Sequence, residues 1–511
     1  MGLPDLPSLL FTMALSLHSR DCITVFLAFK FSTMKRLLFS GCIASLVFFS
    51  NCARNPVTGK KEVVLMSEQQ ELAQGKEADP QVIAQFGLYP DSSIQRFINE
   101  KGRQMAAVSH RPNIEYNFRV LNSTVVNAFA IPGGYVYFTR GIMAYFNNEA
   151  EFAGVLGHEI GHIAARHSVA QQRTAMLGQL GIIAGIVINP NLAQFADLAS
   201  QGLQLMMLKY SRDDERQADE LGVEYSSKIN YDARQMAEFF NTLKRQETNS
   251  GAAALPPFLS THPDPGERNA TVAKLANDWR QKLNLTNPMV NTESYLRRIE
   301  GLVYGDDPRE GYLENQVFYH PELKFQFNVP SGWAYQNSPQ QVQMAPKDGK
   351  ALMIFMLAPG KTLQEAANAI VQQYKLQPVE TREVNVNGLP AVAMVADLPQ
   401  QQGVIRTLSY LIQDGNMIYH MIGLSAPADF NAYSSYFTNT MQSFRQLTDA
   451  SKLDRKPERI HIKSVAQAGT LEQALRYYNI PTNRLEELAV LNGMNLKDNL
   501  KAGSLIKVVG Q

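Results

Sequence analysis

His158 and His162 flank Glu159 in the run His158-Glu159-Ile160-Gly161-His162. On a helix this spacing is close to one turn, so both imidazoles leave one face toward a common point with the carboxylate beside it. Imidazoles and carboxylates are zinc donors, and catalytic zinc takes three protein ligands and keeps a fourth position for water. A metal held in this way lowers the pKa of its water from 15.7 to about 7, while a nearby carboxylate can take the proton. The third ligand must come from elsewhere in the chain. His167 lies on another face of a continued helix, and the glycine that would turn the chain is missing at Ala165, so His167 is set aside. The run Ser211-Arg212-Asp213-Asp214-Glu215-Arg216-Gln217-Ala218-Asp219 begins a second helical stretch with Glu215 and Asp219 one turn apart. One of these carboxylates can bind metal while the other orients a ligand histidine.

The surrounding pattern places the first motif inside a helix. Val125 to Ala130 reads as a strand, Pro132-Gly133-Gly134 as a turn, and Tyr135 to Thr139 as a second strand. Asn148 can cap the next helix with Glu151 at the reciprocal position, and Phe152, Val155, Leu156 and Ile163 form its apolar stripe. The contrary reading is a solvated helix carrying two histidines and a glutamate without metal. Glu215 could likewise belong to an exposed charged face, the setting expected for Asp213 and Asp214. His110, His320, His420 and His461 lack ligand spacing and read as structural.

From about Leu65 to Leu275 the chain resembles the CAAX-prenyl-protease-like zinc metallopeptidases, family forty-eight, and especially their bacterial periplasmic lipoprotein branch. The resemblance rests on four runs in order: Asn127-Ala128-Phe129-Ala130-Ile131-Pro132-Gly133-Gly134, the HEIGH run, the run from Ser211 to Asp219, and Thr261-His262-Pro263 with Arg268. It implies that His158, His162 and Glu215 hold one Zn2+ per chain, that Glu159 is the general base, and that Asp219 supports a ligand histidine. It also places His262 and Arg268 on a loop facing the metal, for regulation or transition-state binding. The strand with Asn127, Ala128, Phe129 and Ala130 is expected to offer an unpaired edge to an extended peptide, giving broad specificity through backbone hydrogen bonds.

The chain has 511 residues, enough for two or three domains. Its 48 basic and 47 acidic residues supply no basic excess for nucleic acid, so none is expected as a partner. Cys22, Cys42 and Cys52 are the three cysteines, so thiolate ligation of a metal in the folded part is excluded. Met34-Lys35-Arg36, the apolar stretch to Phe49 and then Ser50-Asn51-Cys52 have the layout of a secretory signal. Met34 is the expected start, and Cys52 the expected acylated residue of a lipobox-like sequence in which Asn51 is atypical. By analogy with sorting rules, Ala53 after it directs the protein to the periplasmic face of the outer membrane; the alternative is the soluble periplasm.

The expected organisation is a signal and lipoprotein segment over 1–52, a metallopeptidase domain over 53–305, an accessory domain over 316–448 and a terminal module over 457–511. The fold class is α+β, with a mainly helical zincin-type domain carrying a small hairpin or sheet. Met176 to Ile188 is apolar and is read as a core or lid helix stopped by Pro190. After the boundary at Asp306–Gly311, strands at Phe325–Val329 and Leu352–Leu357, a hairpin at Asp414-Gly415 and helices near 362–375 and 429–446 give an α+β domain faintly similar to PsbP-like folds. The last segment resembles a divergent LysM βααβ module, with a poorly matching first strand, which implies peptidoglycan as a candidate partner. The resulting expectation is a membrane-anchored zinc endopeptidase acting on misfolded or misassembled envelope proteins. The alternatives are a chaperone or assembly scaffold kept latent by His262, and a peptidase of peptidoglycan cross-links.

Overall fold

The computed structural model describes residues 52–63, 66–169, 182–183, 186–187, 210–249, 257–262, 265–400 and 403–511. Residues 68–511 form one compact unit and residues 1–67 another. In the latter, β1 (Cys52–Arg54) pairs antiparallel with β2 (Lys61–Val63). The signal-like segment before Cys52, including Met34, Cys22 and Cys42, lies outside the described residues.

In the larger unit, α1 (Glu68–Phe86) and α2 (Ser92–Ala106) pack on a small sheet of β3 (Asn117–Leu121), β4 (Ala128–Ile131) and β5 (Tyr135–Thr139). The order is β3-β5-β4, with β5 parallel to β3 and antiparallel to β4, so β4 is an edge strand. Arg119 on β3 grips Asp79 of α1 through two hydrogen bonds, and the Tyr137 hydroxyl donates to the same carboxylate. Gly133 and Gly134 turn between β4 and β5 at φ of 85° and 95°, where a Cβ on Gly134 would fall 2.2 Å from the Glu115 carbonyl oxygen. β5 has the bounds expected from sequence. β4 begins three residues later than expected, because Asn127 N and the Val125 carbonyl bond the Thr139 hydroxyl instead of a neighbouring strand's backbone.

The HEIGH run lies on α3 (Glu149–Ala165), every residue of which is buried. A solvated helix is therefore excluded. Asn148 caps it by accepting from Glu151 N at 2.9 Å, but the Glu151 carboxylate reaches back to Asn147 N, one residue before the expected reciprocal bond. The helix ends at Arg166, whose φ of 60° turns the chain. Part of the apolar stretch expected to be a helix is instead an antiparallel pair, β6 (Ile182–Ile183) with β7 (Ile186–Val187). β-Branched pairs separated in sequence by Ala184-Gly185 favour a hairpin over a helix. The rest of that stretch lies outside the described residues.

Ser211 opens α4 (Arg212–Lys228) with a reciprocal capping box to Asp214. Asp213 is solvated as expected, whereas Asp214 is committed to the cap. α3 and α4 approach through small residues: a Cβ on Gly222 would lie 2.9 Å from His158 N, and one on Gly157 would lie 2.9 Å from the Gly222 carbonyl oxygen. α5 (Arg234–Asn249), α6 (Pro257–Thr261) and α7 (Pro265–Lys282) complete the helical layer. The loop expected to carry His262 and Arg268 is thus largely helical, with His262 directly after α6 and Arg268 within α7, while Pro263 falls outside the described residues.

β8 (Val303–Tyr304) leads to a four-stranded sheet of β9 (Tyr312–Glu314), β10 (Val317–His320), β11 (Phe325–Asn328) and a short later strand. A seven-stranded antiparallel sheet follows, built from β12 (Ala334–Asn337), β13 (Gln341–Ala345), β14 (Ala351–Leu357), β15 (Gln377–Val386), β16 (Leu389–Gln400), β17 (Gly403–Asp414) and β18 (Met417–Ser425). One face buries Ala366 and Ile370 of α8 (Leu363–Tyr374). The other buries Phe437 and Met441 of α9 (Pro427–Gln442) with Phe318, Phe325 and Phe327 of the smaller sheet. The strands expected at Phe325–Val329 and Leu352–Leu357, the turn at Asp414-Gly415 and the helices near 362–375 and 429–446 correspond within a few residues to β11, β14, the β17–β18 turn, α8 and α9. β19 (Arg445–Gln446) closes the smaller sheet.

The chain ends as strand, helix, helix and strand: β20 (Glu458–Ser464), α10 (Leu471–Tyr477), α11 (Leu485–Leu491) and, after a short pair of β21 (Gly469–Thr470) with β22 (Asn499–Leu500), β23 (Leu505–Gly510). β20 pairs with both β23 and β8. Lys507 of β23 is fully buried and donates to the carbonyls of Ala144 and Phe146, at 2.8 and 3.1 Å, just before α3. Burial pushes the Lys507 ammonium down to about 7 and the Glu151 carboxyl up to about 7, so the terminal strand and the histidine helix share one buried polar cluster. Among the described residues, no helix is long and apolar enough to cross a membrane.

The α3–α4 seam sets the distance between the two metal motifs. Gly222→Val should therefore cost roughly 1–3 kcal/mol through overpacking and lower the denaturation midpoint. Glu220→Ala, at an exposed position of the same helix, should stay within about 0.5 kcal/mol of the parent. Equal midpoints for the Gly222→Val variant and the parent would show that the seam tolerates bulk.

Candidate metal centre

His158 and His162 project from one face of α3, Glu215 from the first turns of α4, and His262 from the end of α6. One ligand atom from each lies within 4.8 Å of the others, and all four residues are buried. The nearest approaches are His158 Nε2 to His162 Nε2 at 3.0 Å, His158 Nε2 to His262 Nδ1 at 3.2 Å and His262 Nδ1 to Glu215 Oε1 at 2.9 Å. Glu215 oxygens lie 3.6 Å from His158 Nε2 and 3.5 Å from His162 Nε2. A tetrahedral zinc with bonds of about 2.0–2.1 Å keeps its donors roughly 3.3 Å apart, so this spacing fits such an ion.

The tautomers follow from the hydrogen bonds around the rings. Asp219 Oδ1 lies 2.9 Å from His158 Nδ1, so the proton is on Nδ1 and Nε2 turns a lone pair to the centre. For His162 the chain is longer. Gln217 Oε1 accepts from His167 Nε2 at 2.9 Å, which leaves His167 Nδ1 to accept from His162 Nδ1 at 2.9 Å and bares His162 Nε2. His167 thus supports a ligand from behind. Counting along a continued helix misses it because α3 stops at Ala165 and Arg166 redirects the chain. Sequence reasoning also misses Tyr210, whose ring stacks on His162 with centroids 3.8 Å apart.

Arg268 ties the remaining charges together. Its Nε and Nη2 each donate to Asp219 at 2.7 Å, and Nη1 donates to the His262 carbonyl at 3.1 Å and lies 2.9 Å from Glu215 Oε2. In this conformation the guanidinium orients Asp219, Glu215 and the His262 backbone. Glu159 stands apart: both carboxylate oxygens are buried without a hydrogen-bond partner, as is His262 Nε2, which lies 3.7 Å from Glu159 Oε1. Such orphaned polar atoms beside a cluster of donors are accounted for by a cation and a small polar ligand in the same space.

Burial pushes the Glu159 carboxyl up and the His162 imidazole well down. Burial also pushes the carboxyls of Glu215 and Asp219 up, but for Glu215 the charges of His262 and Arg268, and for Asp219 that of Arg268, outweigh it and hold both below the usual carboxylate range. His262 is pushed down by burial, yet Glu215 and Glu159 bring it above its ordinary value. A proton on His262 and a metal ion are alternative sources of positive charge for the same carboxylates.

The edge strand runs beside this centre. Asn127 turns its carbonyl to Thr139 N at 3.1 Å, so the alternation of an antiparallel strand faces the backbone polar groups of Ala128 and Ala130 away from β5. Asn127 and Phe129 instead face the sheet's own ladder, and the Phe129 ring stacks on Tyr137. The outer side is covered in this conformation: Phe258 N donates to the Val126 carbonyl at 3.2 Å and the Tyr210 hydroxyl to the Ala130 carbonyl at 3.3 Å.

Residues 92–276 match the family model described as Peptidase family M48. Among curated proteins the chain is similar to the beta-barrel assembly-enhancing protease of Yersinia pestis, 28% identical over 335 residues that cover 63% of this chain and 63% of that protein. The protein of the same name from Escherichia coli strain K12 is 26% identical over 265 residues, 49% of this chain and 54% of its own. The mitochondrial metalloendopeptidase OMA1 of Arabidopsis thaliana is 31% identical over 186 residues, 36% of each chain. This chain therefore spans less than two thirds of the length of each of these relatives. Among solved structures, cyanobacterial PsbP from Synechocystis sp. PCC 6803 covers 26% of this chain and 91% of its own at 14% identity with a TM-score of 0.23, too low a likeness to argue from. All four metal-facing residues, with Glu159, Asp219 and Arg268, fall inside the stretch that matches the family model.

Proposed function

We propose that the protein is a zinc endopeptidase of envelope protein quality control, held at the periplasmic face of the outer membrane through Cys52. The observation that carries the catalytic part is the convergence of two tautomer-fixed imidazoles and Glu215 on one point beside a buried, unpartnered Glu159. A bound zinc ion would polarise the scissile carbonyl and bring a water's pKa to about 7. Glu159 is placed to take that water's proton and return it to the leaving amine, its pKa already raised by burial toward the range of a working base. Asp219, His167 and Arg268 keep the ligands oriented. The outward groups of Ala128 and Ala130 would hold an extended peptide by backbone hydrogen bonds, with little demand on its side chains. The names of the relatives as assembly-enhancing proteases favour misassembled envelope proteins as substrates.

The conformation described is a closed one. His262 Nδ1 lies 3.2 Å from His158 Nε2 and 2.9 Å from Glu215 Oε1, where it would fill the fourth position of a zinc ion, and Phe258 holds the Val126 carbonyl at the strand edge, so water and substrate would both wait on their displacement. This observation also favours the second reading, a scaffold whose metal site is latent. The terminal module, with its strand-helix-helix-strand order, would contribute a peptidoglycan contact.

Glu159→Gln should retain zinc and lose proteolysis of an unfolded protein such as casein by roughly 10²–10⁴-fold, whereas Glu215→Gln should lose zinc itself, measured by metal analysis. Near-parental turnover in the first variant would remove Glu159 from the mechanism. His262→Ala should raise basal cleavage; a fall of roughly 100-fold would instead make His262 a transition-state donor. Cys52→Ala should move the protein from the membrane to the soluble periplasmic fraction with peptidase activity intact, and continued membrane association would refute the anchor.

A further inference from the structure

The helix that carries the metal motif ends on an arginine in a conformation that glycine adopts more readily. Arg166 follows α3 at φ of 60° and ψ of 33°, with its N–H turned back to the carbonyls of His162 and Ile163. A left-handed residue at a helix end is usually glycine, because a Cβ there crowds the backbone. The side chain gives the arginine its place. Arg166 Nε donates to Glu71 Oε2 at 2.8 Å, and Arg111 Nη1 donates at 2.8 Å to Glu71 Oε1 and at 3.0 Å to the Ile163 carbonyl in the last turn of α3. Glu71, in the first turn of α1, is 1% exposed and Arg111 5%. One buried carboxylate thus holds two guanidiniums, one gripping the end of α3 and the other belonging to the residue that turns the chain out of it.

Two supports of a single metal-facing ring come directly after that turn. His167 Nδ1 accepts from His162 Nδ1 at 2.9 Å, while its Nε2 donates to Gln217 on α4. The Ser168 hydroxyl lies 3.0 Å from that of Tyr210, whose ring stacks on His162. A rotation about the Arg166 backbone would move both residues away from His162. His158 is held by other means, since Asp219 and Arg268 brace it from α4 and α7. The Glu71 network therefore bears on one of the two imidazoles of the HEIGH run.

We infer that Glu71 and Arg166 are positioning residues of the metal centre: their buried ion pair locks the left-handed turn that delivers His167 to His162, and so keeps the Nε2 lone pair of His162 on the ion. The inference rests on the reading of the centre as a zinc site and names what aligns one of its ligands. A plainer role is available, because an acid in the first turn of α1 and two cations at the last turn of α3 also suit the dipoles of both helices. Capping of that kind would stabilise the fold without touching the ion.

The two roles separate in the full chain when zinc affinity, measured by competition with a chromophoric chelator, is set beside the melting temperature of the metal-free protein. Arg166→Gly removes the ion pair yet fits the left-handed turn without a Cβ, so it should fold; Glu71→Gln removes the same pair and leaves the residue at the turn unaltered. Each should weaken zinc binding by roughly tenfold, the lower end of the effect of losing a group that supports a ligand, and the double variant should lose no more than the more affected single variant. The d–d absorption bands of the Co2+-loaded protein should shift in both, since the His162 ring would no longer be held in line. Parental zinc affinity and Co2+ spectra in both variants, whatever their melting temperatures, would reduce the pair to a cap and overturn the inference. So would a loss confined to one variant, because Glu71 and Arg166 would then not act as a pair. A parent that binds no zinc rejects the zinc reading and the inference together, whereas a zinc-binding parent with unaltered variants rejects the inference alone.

Discussion

Three carboxylates and one guanidinium are buried together at the centre of this protein, and that imbalance governs the rest. Glu159, Glu215 and Asp219 are each at most 2% exposed, and Arg268, at 5%, is the arginine that reaches two of them. With all four ionised, two negative charges remain in a medium where unpaired charge is costly. A divalent cation cancels them. Without one, protons can take its place: burial raises the Glu159 carboxyl, and Glu215 and Glu159 outweigh burial to bring His262 above its ordinary value. The hydrogen bonds to Asp219 and His167 point the lone pairs of His158 and His162 inward, so the site is arranged for a cation rather than for a hydrogen-bonded pair of histidines.

That arrangement requires two helices to run closer than ordinary side chains permit. Gly157 and Gly222 supply the contact, with Gly161 lying against Ala218 and Leu221 one turn further on. The same close approach brings Asp219 to His158 and Glu215 to both ligand histidines. The start of α3 is held in turn by the last strand of the chain, since Lys507 binds the carbonyls of Ala144 and Phe146. The terminal module is therefore packed against the helix that carries the metal motif, whatever else it binds.

The legible part of the site is the part written in local spacing. His158, Glu159 and His162 follow from helical period, and the Asn148 cap and the strand at Tyr135–Thr139 follow from residue type. Spacing alone leaves Glu215 and Asp219 interchangeable; resemblance orders them, and the geometry has Glu215 facing the histidine nitrogens and Asp219 behind His158. His167 is hidden because its contact depends on a left-handed residue at Arg166, a tertiary choice that non-glycine residues make seldom and that no periodicity announces. The β6–β7 hairpin escapes a sequence reading for a related reason. Its apolar run from Met176 to Ile188 carries no polar alternation to mark a strand, and its length argues for a helix against the β-branched content of the two short strands.

The most direct test of the account is the zinc K-edge X-ray absorption spectrum of the purified full chain. A shell of four nitrogen and oxygen ligands near 2.0–2.1 Å, with imidazole outer-shell scattering from three rings, is the predicted result for the closed conformation. A chain that holds no zinc, or a shell containing sulfur near 2.3 Å or lacking imidazole scattering, would contradict it.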